Sequence, residues 1–588
     1  MADIDQTIAA YENSLRDLKT ALLEGVAVRT GMVVVRMMDV VEGIGRLNIL
    51  RLLVSCSRSW NIAETINLNK LPRAEGARFQ WEKGCLPGTR ETFLKEICNV
   101  LNNPDEDAPR VCLLTGVAGS GKSAVAHSIA RLYDGQRRLG SSYCFSRTDV
   151  THRNPTNLFT TIARDLSSRD PQYKAALCQV LKDDEMLCTS QSPMEQLERL
   201  VIEPCQDLHA VGPLVIVIDA LDESGDPTSR QHILRALSEK IAKNALPSHL
   251  RFLITARPET DIHNELPACS QTVHKQMGEI PEDVVDGDIE TFIHHSLRNQ
   301  HTALECFQPG QEWCRLLVRH SQKLFQWAST ACNFIGGVDT PGLNLRERFE
   351  ILVQVDHSEG IHPLDELYQT ILKRQFTLDG TRRRFRDVMA VVLALREPLS
   401  IKSLSALSIP QLNVQDIMKP LGSLLDGVLD EEKPIRPLHT SFRDFLLDKD
   451  RSSIFHVDIQ AQHSLCLGRA LLARMRAMLR FNICELKDSR IRNVDIPDLP
   501  TRVNTAIPSH LAYSCRYWMH HLQRANCTPD LSNEVTLFFK EMFPYWLEAI
   551  SLLSLSSPLS TILSALETCT TLSQWTEVRL VMVASDVH

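Results

Sequence analysis

A glycine-rich stretch near residue 120 holds the residues whose types and spacing have the clearest chemistry. It reads GVAGSGKS over residues 116–123, which matches the GxxxxGKS pattern of a phosphate-binding loop. Glycines leave room for main-chain N–H groups to surround a phosphate, and they tolerate positive φ. We expect Lys122 to reach the outer phosphates of a nucleotide and the Ser123 hydroxyl to ligate Mg²⁺. The predicted phosphate-binding set is Gly116, Gly119, Ser120, Gly121, Lys122, Ser123 and Ala124.

The elements on both sides of this loop would hold it in place. Residues 111–115 are β-prone and largely apolar, and after the loop Val125, Ile129 and Leu132 follow one another at i, i+4 and i+7. This pattern predicts a short buried strand and then an amphipathic helix whose N-terminal dipole points at the phosphates. The alternative is a structural glycine turn, which the flanking strand and helix disfavour.

A second apolar run ends in acidic residues. Residues 214–218, LVIVI, are typical of a central strand in a parallel sheet. We expect Asp219, at the tip of this strand, to hold the magnesium through water, and Asp222 or Glu223 to polarise the attacking water. Acidic residues after an apolar strand are common, so this interpretation depends on the phosphate-binding loop roughly a hundred residues upstream.

An arginine follows a third apolar run. A strand is predicted over residues 251–255, and the sequence continues as ARPE. Pro258 forces Arg257 into an extended conformation, which leaves its guanidinium group at the carboxyl end of the strand, where open α/β sheets bind ligands. We expect Arg257 to sense phosphate. An ion pair with a neighbour such as Glu259 is the alternative.

Composition sets the broad class of protein. The chain has 588 residues, enough for several domains, and 64 Lys and Arg against 72 Asp and Glu give a net charge of −8, which argues against nucleic acid as the main partner. The 17 cysteines contain no CxxC pair, so reduced thiols in the cytoplasm fit better than a zinc site or a disulfide framework. The amino terminus is acidic without an apolar core, and the uncharged run 549–566 is interrupted by Pro558, so neither a signal peptide nor a membrane span is expected.

The pattern along the chain predicts an α/β P-loop NTPase, with a parallel sheet flanked by helices, set among helical modules. A strand at 141–146, a helix at 158–166 and a helix N-cap at Thr89 belong to the NTPase part. A winged helix is predicted from three helices and a hairpin, 424–429 with 435–439. The predicted boundaries are a helical N-terminal region at 1–75, the NTPase at 76–275, a helical segment at 276–360, the winged helix at 361–455 and a helical C-terminal region at 456–588.

Several of these stretches together resemble one family. LPRAEGARFQWEKGCLPGTR, GVAGSGKS, the FSR ending at Arg147, LVIVIDALDES and FLITARPE are similar, in this order, to the NACHT domain of fungal STAND-class NTPases, relatives of animal and plant NOD-like receptors. Residues 280–335 resemble the helical segment of that family, although Lys323 stands where many members have glycine and no obvious Gly-x-Pro adenine clamp is present. PLHTSFRDFLLD, with His439, resembles its winged-helix signature. Residues 495–522 resemble the spacer that often precedes repeats, but no period of 20–50 residues recurs in this sequence.

The resemblance implies a nucleotide-dependent signalling switch. ADP would hold the winged helix against the NTPase core through a contact of His439 with the β-phosphate, and exchange for ATP with Mg²⁺ would open the chain for self-association. Slow hydrolysis would return the switch to its ADP-bound state. The N-terminal helices would recruit an unknown downstream protein. The sequence does not distinguish ATP from GTP as the nucleotide. For His439 itself, a hydrogen-bonded core histidine is the alternative.

Three other functions compete with the switch. A P-loop motor or metabolic ATPase would need a second substrate-binding set, and none is evident in the sequence. A winged-helix DNA-binding regulator would need clustered basic residues, yet residues 413–429 contain Lys419 alone, and acids at Asp416, Asp426, Asp430, Glu431 and Glu432 would repel phosphate. A nucleotide-free scaffold is the third alternative.

Overall fold

The computed structural model of the chain describes residue 68 and residues 70–553, with internal gaps. The gaps are 106, 148, 150, 151, 153, 207–212, 267–270, 300–310, 338–342, 355–361, 408, 410–413, 460–465, 488–490, 492 and 524–528. The predicted N-terminal helical region, 1–75, therefore lies almost entirely outside the described residues. The end of the predicted C-terminal region, beyond residue 553, lies wholly outside them.

The described residues belong to two compact units. The small unit comprises residues 1–72 and 178–189, and within its described part Lys70 and Glu185 form a surface ion pair at 3.5 Å. The large unit comprises residues 73–177 and 190–588 and contains all the elements discussed below, apart from the end of one helix.

A parallel five-stranded sheet forms the centre of the NTPase part. Its strands are β1 (Val111–Thr115), β2 (Leu139–Cys144), β3 (Leu214–Asp219), β4 (Leu250–Ala256) and β5 (Thr272–Gln276), in the order β2-β3-β4-β1-β5. The predicted parallel sheet is thus confirmed. The strand predicted at 141–146 begins two residues earlier, and β5 was not predicted because this edge strand carries His274, Lys275 and Gln276 instead of an apolar run.

Helices flank this sheet, and two details of the sequence interpretation were wrong. Thr89 is not the N-cap, because the helix begins at Glu91 after Arg90, which has φ +56°, and the Thr89 hydroxyl donates to the Leu86 carbonyl at 2.7 Å. Leu132 is 44% exposed, because Tyr133 takes the buried position beside Val125 and Ile129. The helices are Glu91–Asn102, Lys122–Gly135, Asn157–Arg169, Pro171–Asp183, Pro193–Glu195 continuing as the π-helix Gln196–Ile202, Pro227–Ala242 and Thr260–Glu265.

Most of the other described elements of the large unit are helices. Two short antiparallel strands, β6 (Leu425–Asp426) and β7 (Arg436–Pro437), form the hairpin expected of the winged helix, whose assignment stays a prediction. The helices are Glu282–Asn299, Gln311–Ser321, Phe325–Gly336, Leu345–Val353, Pro363–Gln375, Asp379–Ala394, Ile401–Ala406, Val414–Met418, Thr440–Leu447, Lys449–Ser452, Gly468–Met478, Leu499–Ala506, Ser509–Gln523, Pro529–Glu541 and Phe543–Leu552.

Lys323 lies at a backbone position that favours glycine. Its φ is +66°, in the left-handed region that side chains with a Cβ rarely adopt. Its ammonium group forms an ion pair with Asp286, on the helix Glu282–Asn299. A glycine would adopt this conformation without strain, and the ion pair with Asp286 gives the lysine a partner there.

One hydrophobic core runs from the sheet through the helices that follow it. The helix Phe325–Gly336 packs on Pro363–Gln375, which in turn packs on Thr440–Leu447. Among the described residues, no helix combines the length and the apolar character that crossing a membrane requires.

Candidate functional site

The phosphate-binding loop joins β1 to the helix Lys122–Gly135 and has the backbone that its sequence predicts. Gly119 and Gly121 have φ of +82° and +97°, and a Cβ on Gly116 would lie 2.8 Å from the Met277 side chain. The loop is held from within, since the Lys122 ammonium group donates to the carbonyls of Gly116 at 2.7 Å and Val117 at 3.0 Å. Burial lowers the pKa of Lys122, while nearby carboxylates, led by that of Asp222, oppose the change.

Asp219 ends β3 and is oriented by the neighbouring strand. The Thr255 hydroxyl, on β4, donates to the Asp219 carboxylate at 2.5 Å and accepts the Ala220 N–H at 3.0 Å. Ala220 has φ +56°, which turns the chain sharply into residues 221–223. The turn leaves three acidic side chains, those of Asp219, Asp222 and Glu223, buried within five residues of one another.

The two predicted water-activating residues have different partners. Asp222 accepts the Arg257 N–H at 3.0 Å, and its other oxygen lies 3.2 Å from the Arg257 Nε. Glu223 accepts the Arg147 N–H at 3.1 Å. Burial, and then the charge of Asp222, raise the pKa of Glu223 to about 7. A pKa of about 7 suits Glu223 to general-base work near neutral pH.

Arg257 lies at the carboxyl end of β4, as predicted, but its partners differ from the alternative considered. It does not pair with Glu259, which binds Arg230 at 2.6 Å. Its guanidinium group instead donates to Asp444 at 2.7 Å and to the Thr440 hydroxyl at 3.1 Å. The end of the sheet is therefore joined to the helix Thr440–Leu447.

Two neighbouring cavities lie beside Lys122. The first, of about 280 Å³, is lined by residues of the sheet end and by the segment 436–440. Its lining includes these predicted site residues: Gly119, Lys122, Ser123, Asp219, Asp222, Glu223, Arg257 and His439. Gly121 and Ala124 line the second cavity, whereas Gly116 and Ser120 line neither and shape the loop. The predicted residues are thus brought together, while their individual roles stay predictions.

His439 faces both cavities and also caps a helix. It is the N-cap of Thr440–Leu447, and its Nδ1 accepts the Ser441 N–H at 3.2 Å. Because a main-chain N–H can only donate, the proton of a neutral ring lies on Nε2, which is therefore available as a donor. Burial, and then the charges of Arg257 and Lys122, lower the pKa of His439 to about 4, so the ring is neutral at pH 7.

The second cavity, of about 490 Å³, has aromatic and basic walls that the sequence interpretation missed. The Arg90 guanidinium lies 4.9 Å from the ring centre of Phe325, and Phe292 meets Phe325 edge-on at 5.9 Å. Asp288 accepts the Arg90 N–H at 3.1 Å. The helix that carries Phe325 approaches the loop closely, since the Gln326 N–H donates to the Gly119 carbonyl at 3.1 Å. These residues are scattered over some 240 positions, so no local motif could have indicated them.

The oxygen donors near Lys122 fit magnesium. Ser123 and Asp219 line the same cavity and offer hydroxyl and carboxylate oxygens, the ligands that Mg²⁺ prefers. Among the described residues, His127 and Cys144 lie near Asp219, with donor atoms within 4.8 Å of one another. However, His127 Nδ1 is already occupied by the Gln80 N–H at 3.2 Å, and burial raises the pKa of the Cys144 thiol well above its ordinary value, which opposes formation of a thiolate ligand. The oxygen atoms of Ser123 and Asp219 are therefore the better ligands here, and they favour a hard cation such as Mg²⁺.

Comparisons with known proteins reach part of the chain. Residues 88–257 match the family described as "Nephrocystin 3, N-terminal", a stretch that contains the loop, the acidic turn and Arg257. No curated protein matches. One of the solved structures that match is titled "Structure of C. elegans PCH-2". Its sequence is 12% identical to this chain, the match covers 47% of this chain and 69% of that chain, and the TM-score is 0.24. The family match spans less than half of the chain. Together with the phosphate-binding loop and the parallel sheet, it makes this a P-loop NTPase-like protein.

Proposed function

We propose that the chain is a nucleotide-dependent switch of the STAND class, which binds ADP or ATP with Mg²⁺ and hydrolyses ATP slowly. One observation carries the proposal. The cavity that Lys122 and Asp219 line is also lined by residues 436–440 of the predicted winged helix. A phosphate bound there would contact both modules, so nucleotide occupancy and the position of the winged helix would be linked.

The phosphates would have to supply the energy of switching. A ligand shifts two conformations only by its difference in affinity for them, and reversing a 99:1 ratio takes about 5.5 kcal/mol. The γ-phosphate distinguishes ATP from ADP. We assign its contacts to Lys122 and Arg257, and the magnesium to Ser123 and Asp219. When bound, the ion would neutralise charge on the phosphates.

Hydrolysis would depend on Glu223. Its carboxylate, once ionised, can accept a proton from a water molecule in the cavity that it lines. The pKa of about 7 leaves a substantial fraction ionised at neutral pH, and Arg147 holds the group through its main-chain N–H. We propose that slow ATP hydrolysis determines how long the protein stays in the ATP-bound state before it returns to the ADP-bound state.

His439→Asn tests the switch. Asparagine is a good helix N-cap, so the variant keeps the acceptor for the Ser441 N–H but loses the imidazole donor that faces the cavity. One hydrogen bond to a charged group is worth about 1.5–3 kcal/mol, so the release rate of a fluorescent ADP analogue should rise roughly 10- to 150-fold.

The matched control is His362→Asn. His362 caps the helix Pro363–Gln375 in the same way, by accepting the Leu364 N–H at 3.3 Å, and it lies outside both cavities. It should leave ADP release unchanged. If His439→Asn lowers the melting temperature and leaves the release rate within twofold of the wild type, His439 is a structural histidine and the latch is wrong.

We further propose that the ATP-bound state self-associates and that the N-terminal helices recruit a downstream protein. Light scattering with ADP and with a non-hydrolysable ATP analogue tests the first part. The measured molar mass of the protein should rise with the ATP analogue and not with ADP. Equal molar masses with the two nucleotides would show that nucleotide binding and assembly are not coupled.

A further inference from the structure

Asp444 receives two arginine side chains from the end of the sheet. Its carboxylate accepts from Arg147 at 3.1 Å through one oxygen and from Arg257 at 2.7 Å through the other. The three side chains are largely buried, with exposed fractions of 17% for Asp444, 28% for Arg147 and 22% for Arg257. Such a paired arrangement is the strong form of an ion pair, because each contact is also a charge-assisted hydrogen bond.

Both arginines are positioned by the acidic turn. The N–H of Arg257 donates to Asp222, and the N–H of Arg147 donates to Glu223. The main chains of the two arginines are therefore held beside the residues assigned to water activation. Their guanidinium groups extend from there to the helix Thr440–Leu447, where Asp444 lies.

The two arginines are the kind of side chain that binds a terminal phosphate. Guanidinium groups bind carboxylate and phosphate oxygens with the same paired geometry. Arg257 lines the cavity that also contains Lys122, and its charge acts on Lys122 and His439 there. An anion that entered this cavity would compete with Asp444 for at least Arg257.

We propose that Asp444 is a specificity-determining residue that occupies the Arg147 and Arg257 pair in place of the γ-phosphate of a nucleoside triphosphate. A diphosphate leaves the pair on Asp444, whereas a triphosphate must displace the carboxylate to reach it. Asp444 thus lowers the affinity for the triphosphate relative to the diphosphate. This inference rests on the proposed function and adds to it the residue that discriminates the two nucleotides.

The experiment compares the affinities of ADP and a non-hydrolysable ATP analogue, each with Mg²⁺, for the full chain by calorimetry. Asp444→Asn removes the charge and nearly preserves the shape of the side chain. We expect the ratio of the ADP Kd to the analogue Kd to rise at least about tenfold, which is the factor expected for one charge-assisted hydrogen bond. A residue that only stabilised the fold would change both affinities alike and leave the ratio constant.

Asp448→Asn is the matched control. Asp448 lies at the end of the same helix, caps Lys449–Ser452 by accepting the N–H groups of Asp450 and Arg451, and lies outside both cavities. Asparagine also caps helices well, so this variant loses one charge without the arginine contacts and should keep the wild-type ratio.

A double variant tests whether Asp444 acts through the arginine. In an Arg257→Gln background, Asp444→Asn should raise the ratio by much less than in the wild type, because the shared partner is gone. An unchanged ratio in Asp444→Asn, with both nucleotides bound by the wild type, would overturn this inference and leave the proposed function standing. Failure of the wild type to bind either nucleotide would overturn both.

Discussion

Glu223 offers a test in which the stability and the activity of the chain respond to pH in defined directions. Its carboxyl group is buried, and burial followed by the charge of Asp222 raises its pKa from the ordinary 4.5 to about 7. Replacement by glutamine keeps the size and one oxygen acceptor for the Arg147 N–H but removes the ionisation. The variant therefore isolates the titration of this one group.

The sign follows from which state binds the proton. Between pH 4.5 and 7 the unfolded chain releases the Glu223 proton while the folded chain keeps it, so this group lowers the free energy of unfolding as pH rises. The difference amounts to about 3 kcal/mol above pH 7 and vanishes below pH 4.5. Glu223→Gln should consequently equal the wild type at pH 4.5 and exceed it at pH 8. The large unit contains roughly 500 residues, and with an unfolding entropy of about 2.1 cal/mol/K per residue this is about 3 °C in melting temperature.

The assay is thermal unfolding of the nucleotide-free chain at pH 4.5 and pH 8, with Glu239→Gln as the control. Glu239 is a half-exposed surface residue that pairs with Lys243, so its variant should follow the wild type at both pH values. In parallel, wild-type hydrolysis should rise as pH passes through about 7, and Glu223→Gln should bind ATP without hydrolysing it. An equal difference between Glu223→Gln and the wild type at both pH values would refute the buried-carboxyl reasoning.

Two further changes have definite expected outcomes. Lys122→Ala should abolish binding of both diphosphate and triphosphate, because a charge-assisted bond worth about 1.5–3 kcal/mol or more is lost, and a calorimetric affinity within twofold of the wild type would contradict this. Lys323→Val should lower the melting temperature because a β-branched residue is strained at φ +66°, whereas Lys323→Gly should retain stability within about 1 kcal/mol; equal melting temperatures for the two variants would show that this backbone position is not strained.

Much of the sheet could be predicted from the sequence, and the reasons are local. The strands β1, β3 and β4 each contain a run of at least three apolar residues, because both faces of a central strand are buried. The edge strand β5 has a partner on one side only and was missed, because polar side chains are tolerated there. The N-cap at Thr89 was wrong for a different reason, since Arg90 precedes the helix in a left-handed conformation that no sequence pattern indicates.

The residues of the candidate site also fall into two groups, those that the sequence predicts and those that it does not. Residues in motifs, such as Lys122, Asp219 and Arg257, were predicted because the phosphate-binding loop and the strand ends determine their place. Arg90, Asp444 and Phe325 were missed as site residues because they lie in different modules and meet only in the folded chain. Arg147 was noted solely through a resemblance, and its contacts with Glu223 and Asp444 depend on the order of strands in the sheet.

The chemistry of the contact between the sheet end and the helix Thr440–Leu447 affects how reversibly the two could separate. The contacts described here are polar: Asp444 with two arginines, and Arg257 with the Thr440 hydroxyl. Separating an apolar contact would expose surface at about 25 cal/mol per Å², and a phosphate could not compensate for it. Separating these groups instead frees guanidinium donors, which a bound phosphate can satisfy directly. The helix is meanwhile held to its own module by apolar packing, as in the edge-on contact of Tyr368 with Phe442 at 5.1 Å. The polar contacts that a bound anion could replace thus join the helix Thr440–Leu447 to the sheet end, whereas apolar packing joins this helix to Pro363–Gln375, and the proposed switch would use this difference.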